Sequence, residues 1–111
     1  MDVIGAKVGE IDIKVETKSG NYLCKGVIRE GVVMSGSDYR MYPGVSEVTF
    51  PQNFASFKDD DDIVYEQGCI SELICFAIND GGVDSSLWED IELWFEITSI
   101  YDRRYPFRPQ H

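Results

Sequence analysis

Residues 91–101 read IELWFEITSIY, and their alternation decides what kind of fold the chain can adopt. Ile91, Leu93, Phe95 and Ile97 fall on one parity, and Glu92, Trp94, Glu96 and Thr98 on the other. A period of two is the mark of a β-strand with one face on a core and one on solvent. The apolar face demands that core. The polar face carries Trp94 between Glu92 and Glu96, and a large ring framed by carboxylates on a solvent face calls for a partner.

Working outward, the same alternation runs through residues 11–17, IDIKVET, before the turn formers Ser19, Gly20 and Asn21. Residues 22–29 follow as a second run, so 11–29 reads as a hairpin. Shorter strands are expected at 32–34, 39–42 and 45–50, separated by Ser35-Gly36-Ser37-Asp38 and Pro43-Gly44 and stopped by Pro51. Residues 51–62, PQNFASFKDDDD, are irregular. Phe54 and Phe57 are expected to plug the core edge there while the aspartates face water. A strand resumes at 63–65 and breaks at Gln67-Gly68. Residues 69–78, CISELICFAI, are apolar on both parities after Glu72 and suit a central strand covered on both faces. Ser86 and Glu89 have the spacing of a capping box, with room for one helical turn before Ile91.

These segments predict an all-β fold: an antiparallel β-sandwich of about seven to nine short strands, immunoglobulin- or fibronectin-like in outline. A partly open barrel is the alternative. The 111 residues make one domain, expected over 1–102, with a basic, proline-containing tail at 103–111. No apolar run reaches the ~18 residues that span a bilayer, and the opening MDVIGAKVGE does not resemble a secretory signal, so the expected location is cytoplasmic.

The net charge is −10, unevenly placed. Residues 1–30 balance five acids against five bases, whereas residues 58–102 hold thirteen acids and only Lys58, a net of −12. The tail returns Arg103, Arg104 and Arg108. A field of that sign repels nucleic acid and hastens encounter with cationic surfaces. Plain solubility is the bland reading. Asp59-Asp60-Asp61-Asp62 is its densest part. The run lacks the spaced oxygen ligands and distal Glu of a calcium loop, so it reads as a solvated loop or as a binding element for lysines and arginines.

Catalytic patterns are weak. Glu92 and Glu96 stand on an open strand face rather than across a cleft as glycoside hydrolysis requires. The single histidine, His111, is terminal, which removes a Ser-His-Asp arrangement. Gly81-Gly82 is a turn rather than a phosphate cradle. No cofactor or metal is implied, and the chain is not expected to be an enzyme. Cys24, Cys69 and Cys75 are odd in number and are expected to be free thiols. The stronger constellation is Trp88 and Trp94 with Glu89, Asp90, Glu92 and Glu96, since tryptophans ringed by polar groups are favoured at the centres of interfaces. Trp88 could equally cap the end of the core.

A small, acidic, single-domain chain without catalytic residues resembles the bacterial immunity proteins that neutralise toxins of contact-dependent growth inhibition and related polymorphic toxin systems. That resemblance is one of overall character. It implies a cognate toxin as partner, commonly a basic nuclease domain plugged at its active site, and a monomer or weak dimer with no direct nucleic-acid or membrane contact. The expected contact residues are Asp59 to Asp62, Trp88, Glu89, Asp90, Glu92, Trp94 and Glu96. Two alternatives are an acidic nucleic-acid mimic that inhibits a defence protein, and a carbohydrate-binding β-sandwich using the exposed tryptophans.

Overall fold

The first hairpin forms as its alternation requires. In the computed structural model, which describes residues 2–33 and 41–101, β1 (Asp2–Thr17) pairs antiparallel with β2 (Gly20–Val33). The turn between them is closed by Thr17, whose hydroxyl donates to the Gly20 carbonyl at 3.2 Å and accepts from the Ser19 N–H at 2.9 Å. β3 (Met41–Thr49) adds to the free side of β2, and β5 (Leu93–Ile100) to the free side of β1. The short β4 (Ser85–Trp88) pairs with β5, giving one antiparallel sheet in the order β3-β2-β1-β5-β4.

The sheet curls into a half-barrel. Its ladders slip between Ile4 and Lys7, Lys7 and Gly9, Val27 and Ile28, and Asp12 and Ile13. Each such irregularity bends a strand and sharpens its twist. Gly26 serves the same curvature, because a Cβ there would come within 2.6 Å of Ile11 Cγ1. A strand glycine at such a close approach lets the inner face fold on itself.

The concave face is filled by Ile11, Ile13 and Val15 of β1, Cys24 and Ile28 of β2, Val45 and Val48 of β3, and Leu93 and Phe95 of β5. Against them packs α1 (Asp60–Asn79), through Ile70, Ile74, Cys75 and Ile78. The helix also closes the sheet's β3 edge. Asn79 is fully buried. Its Oδ1 accepts from the Val45 N–H at 2.9 Å, and its Nδ2 donates to the Val45 carbonyl at 2.7 Å. Ser71 Oγ accepts from the Val48 N–H at 3.0 Å. An edge strand covered in this way is removed as a template for pairing with other chains.

The mostly β, antiparallel reading therefore holds, and several expectations are corrected. In place of a sandwich of seven to nine strands, the described residues form one curled five-stranded sheet with a helix across it. Residues 60–79, expected as an aspartate loop followed by strands, are that helix. Its apolar residues fall on both parities because two sides of the helix are apolar, and Gly68 does not break it. Asp59 is its N-cap and Asp60, Asp61 and Asp62 its first turn, where carboxylates are favoured by the exposed N–H groups and the helix dipole. Phe54 plugs the core as expected, at 1% exposure, but Phe57 lies 72% exposed. Ile91 also leaves the core parity. It ends a 3-10 turn (Glu89–Ile91), and Glu92 follows with φ 50°, so the strand starts only at Leu93. The turn at 35–38 and the tail at 103–111 lie outside the described residues.

Candidate protein-binding surface

The outer face of the sheet carries the polar parity of each strand. Register places Trp94 of β5 beside Glu16 of β1 and Leu87 of β4, and Lys14 beside Leu23 and Glu96. Lys14 Nζ stands 5.9 Å from the centroid of the Trp94 ring, within cation–π reach. Trp94 is half-buried, while Leu87 and Leu23 are exposed. Further along, Asp12 accepts from Lys25 Nζ at 3.1 Å and from the Tyr101 hydroxyl at 2.9 Å, which holds its carboxyl below the usual range.

Around the β1–β2 turn this face dips into a hollow of about 430 Å³, lined by Glu16, Lys18, Leu87, Glu89, Glu92 and Trp94. On the other side of the same turn lies a larger hollow of about 630 Å³, between the N-terminal half of α1 and the start of β5. Phe57, Asp59, Asp62, Tyr65, Cys69, Leu73 and Ile91 line it, and Thr17 and Lys18 wall both hollows. The hairpin turn is thus a ridge between two depressions.

Local contacts fix this arrangement. The Tyr22 hydroxyl donates to the Ser19 carbonyl at 2.7 Å and accepts from the Ala55 N–H at 3.0 Å, and its ring packs on Phe54 at 4.6 Å. The segment leading into α1 is thereby pinned to the hairpin, which sets Phe57 and Asp59 beside Lys18. Both lysines that line the hollows are engaged by carboxylates: Lys18 with Glu92 at 3.3 Å, and Lys58 with Glu66 at 2.6 Å. Glu66 also accepts from Ser19 Oγ at 2.9 Å.

Of the residues singled out in the sequence, Asp59 and Asp62 face the larger hollow and Glu89, Glu92 and Trp94 the smaller one. Asp60 and Asp61 are exposed on the first turn of α1, and Asp90 on the 3-10 turn. Glu96 is exposed higher on the outer face, opposite Lys14. Trp88 is not presented outward with Trp94. It is half-buried against the core, its ring stacked on Phe95 with centroids 5.8 Å apart and planes 24° from parallel. Sequence reasoning missed Lys18, Tyr65, Cys69, Leu73 and Ile91. The spacing of 65, 69 and 73 was the available signal, since fourth residues share one side of a helix.

Cys24 and Cys75 are buried, and that burial pushes their thiols up to about 12, whereas Cys69 is exposed. Chemically, the surface offers aromatic and aliphatic area flanked by carboxylates whose neighbouring lysines already have partners. Such a surface suits a cationic, partly apolar protein better than a phosphate or an anionic polymer. The case rests on that chemistry, since no protein-family model, curated protein or solved structure matches the chain.

Proposed function

We propose that this chain is a protein-binding module that neutralises a basic toxin domain, a nuclease, by covering its active-site cleft, in the manner of polymorphic-toxin immunity proteins. The observation that carries the reading is the shared ridge. Asp59 and Asp62 lie on one side of the Thr17–Lys18 turn, and Glu89, Glu92 and Trp94 on the other. One cationic cleft seated over that ridge can therefore meet carboxylates and a tryptophan in a single approach. The net −12 of residues 58–102 supplies the long-range attraction. A nuclease cleft, built to hold phosphates, offers the complementary sign.

The test uses the purified product of the adjacent open reading frame. Its nuclease activity is measured with and without this chain, and binding is followed at two ionic strengths. Stoichiometric inhibition, with association that slows as salt rises, is the expected result. No binding, or binding that leaves the activity intact, overturns the proposal.

A further inference from the structure

α1 is apolar on two sides, and only one of them is fully buried in the core, the other touching it through the half-buried Leu73. Ile70, Ile74 and Ile78 face the sheet, whereas Tyr65, Cys69, Leu73 and Phe76 follow one another at spacings of four, four and three along a different side. Residues so spaced form one stripe, here about 16 Å long at 1.5 Å per residue. Tyr65 is 76% and Phe76 52% exposed, Cys69 is also exposed, and Phe57 extends the stripe beyond the helix start. Ile91 and Leu93 wall the hollow beside Tyr65, Cys69 and Leu73, and Phe76 lines an adjoining hollow of about 350 Å³ that shares Cys69 and Leu73, so the two together make one groove along α1. An apolar strip of this continuity on a small domain marks an interaction site.

The rim decides what can enter. Asp59 and Asp62 stand at one end and Glu72 beside the other, while Lys58 is held by Glu66 and Lys18 by Glu92. A second copy of this chain is disfavoured, because apposing two such stripes would bring these carboxylates together between molecules that each carry −10. A cationic partner gains from the same rim. We infer that the α1 groove takes an amphipathic basic segment of the partner, its apolar residues on the Tyr65–Phe76 stripe and its lysines or arginines against Asp59, Asp62 and Glu72. This rests on the proposed function and adds where and in what form the partner is held. A helical segment laying one apolar face into a groove is a common recognition mode, and the stripe matches roughly three turns of helix.

Cys69 reports on occupancy because it lies in the groove. Cys24 and Cys75 are buried, and a thiol at about 12 has almost no reactive thiolate near neutral pH. The probe is a synthetic leucine–lysine peptide of about 14 residues with leucines on one helical face. Two controls carry the same leucines with glutamate for lysine, or the same residues scrambled so that no apolar face forms. The alkylation rate of Cys69 by neutral iodoacetamide is read by mass spectrometry. At a peptide concentration near ten times its dissociation constant, mass action gives protection of about tenfold, and neither control protects. The Tyr65→Ser/Phe76→Ser variant changes two exposed side chains, and circular dichroism checks that its fold is kept. It should lose the protection.

Unprotected Cys69, equal protection by the scrambled peptide, or protection that grows with protein concentration alone each overturns the inference, the last by revealing a second copy as occupant. The assay contains no toxin, so the two proposals fail separately. If the adjacent gene product binds and inhibits while Cys69 in that complex stays reactive, the functional reading stands and the groove assignment falls. If the peptide protects and that product does not bind, the reverse holds.

Discussion

Single residues set the limits within which this fold works, and two glycines illustrate opposite cases. Gly26 lies in the curled sheet, where an added Cβ would meet Ile11 at 2.6 and 2.9 Å. Gly26→Ala should lower the unfolding free energy by about 1–3 kcal/mol, the cost of overpacking a filled core. Gly68 lies inside α1 with open space around it. Gly68→Ala should raise stability by about 0.5–1 kcal/mol, because alanine loses less backbone entropy in a helix. Urea unfolding of both variants checks the signs, and opposite signs are the expected outcome. The buried thiols give a pH dependence. Folded Cys24 and Cys75 ionise near 12, against an ordinary value of 9.0. Between those values the unfolded chain releases the protons and the folded chain keeps them. Stability from this source is whole below about pH 9 and is lost as pH rises toward 12. The urea midpoint should fall across that alkaline range, and fall less steeply in Cys24→Ala/Cys75→Ala.

At the level of elements, the join between α1 and β3 is the contact most exposed to test. Asn79 is fully buried and satisfies both the N–H and the carbonyl of Val45. Asn79→Ala strands two backbone groups and should cost about 2–6 kcal/mol, since each buried unsatisfied group costs roughly 1–3 kcal/mol. Hydrogen exchange should show β3 amides losing protection more than those of β1. The same element shows where the sequence was legible and where it was not. The first hairpin and the strand at 93–100 could be read directly, because each is buried on one face and the period of two survives. Trp94 on the open face followed from that period. α1 could not be read by parity. Ile70, Ile74 and Ile78 serve the core while Tyr65, Cys69, Leu73 and Phe76 serve another side, so the apolar residues blur into a continuous run and mimic a buried strand. The spacing of the three isoleucines, together with four aspartates at the start, was the helix signal. Lys18 as the ridge between two hollows had no local signal, since it depends on β5 pairing with β1 about eighty residues away in the chain.

For the whole molecule, the decisive property is that its charge is not separable from its fold at every position. Asp60, Asp61 and Asp62 form the first turn of α1, so they stabilise the helix as well as projecting a negative field. Replacing Asp59 to Asp62 with asparagine should therefore slow association with the proposed cationic partner and also lower stability, by about 0.3–1 kcal/mol for each first-turn charge removed. Glu89 and Glu96 lie on the 3-10 turn and the outer face of β5, away from that helix end. Glu89→Gln/Glu96→Gln should slow association with little change in the urea midpoint. Both effects on the association rate should shrink as salt rises, because these charges are exposed and screened over about 8–10 Å at ordinary ionic strength. Trp94→Ala should act on the other rate. A desolvated ring at an interface centre holds the complex once formed, so its loss should speed dissociation roughly thirtyfold, equivalent to about 2 kcal/mol, and leave association nearly unchanged. Surface binding at two ionic strengths, with unfolding of each variant measured alongside, separates the three. If Trp94→Ala leaves the dissociation rate as it was while the glutamate variant still slows association, charge guides the partner to this end of the molecule but the outer face of the sheet is not what holds it.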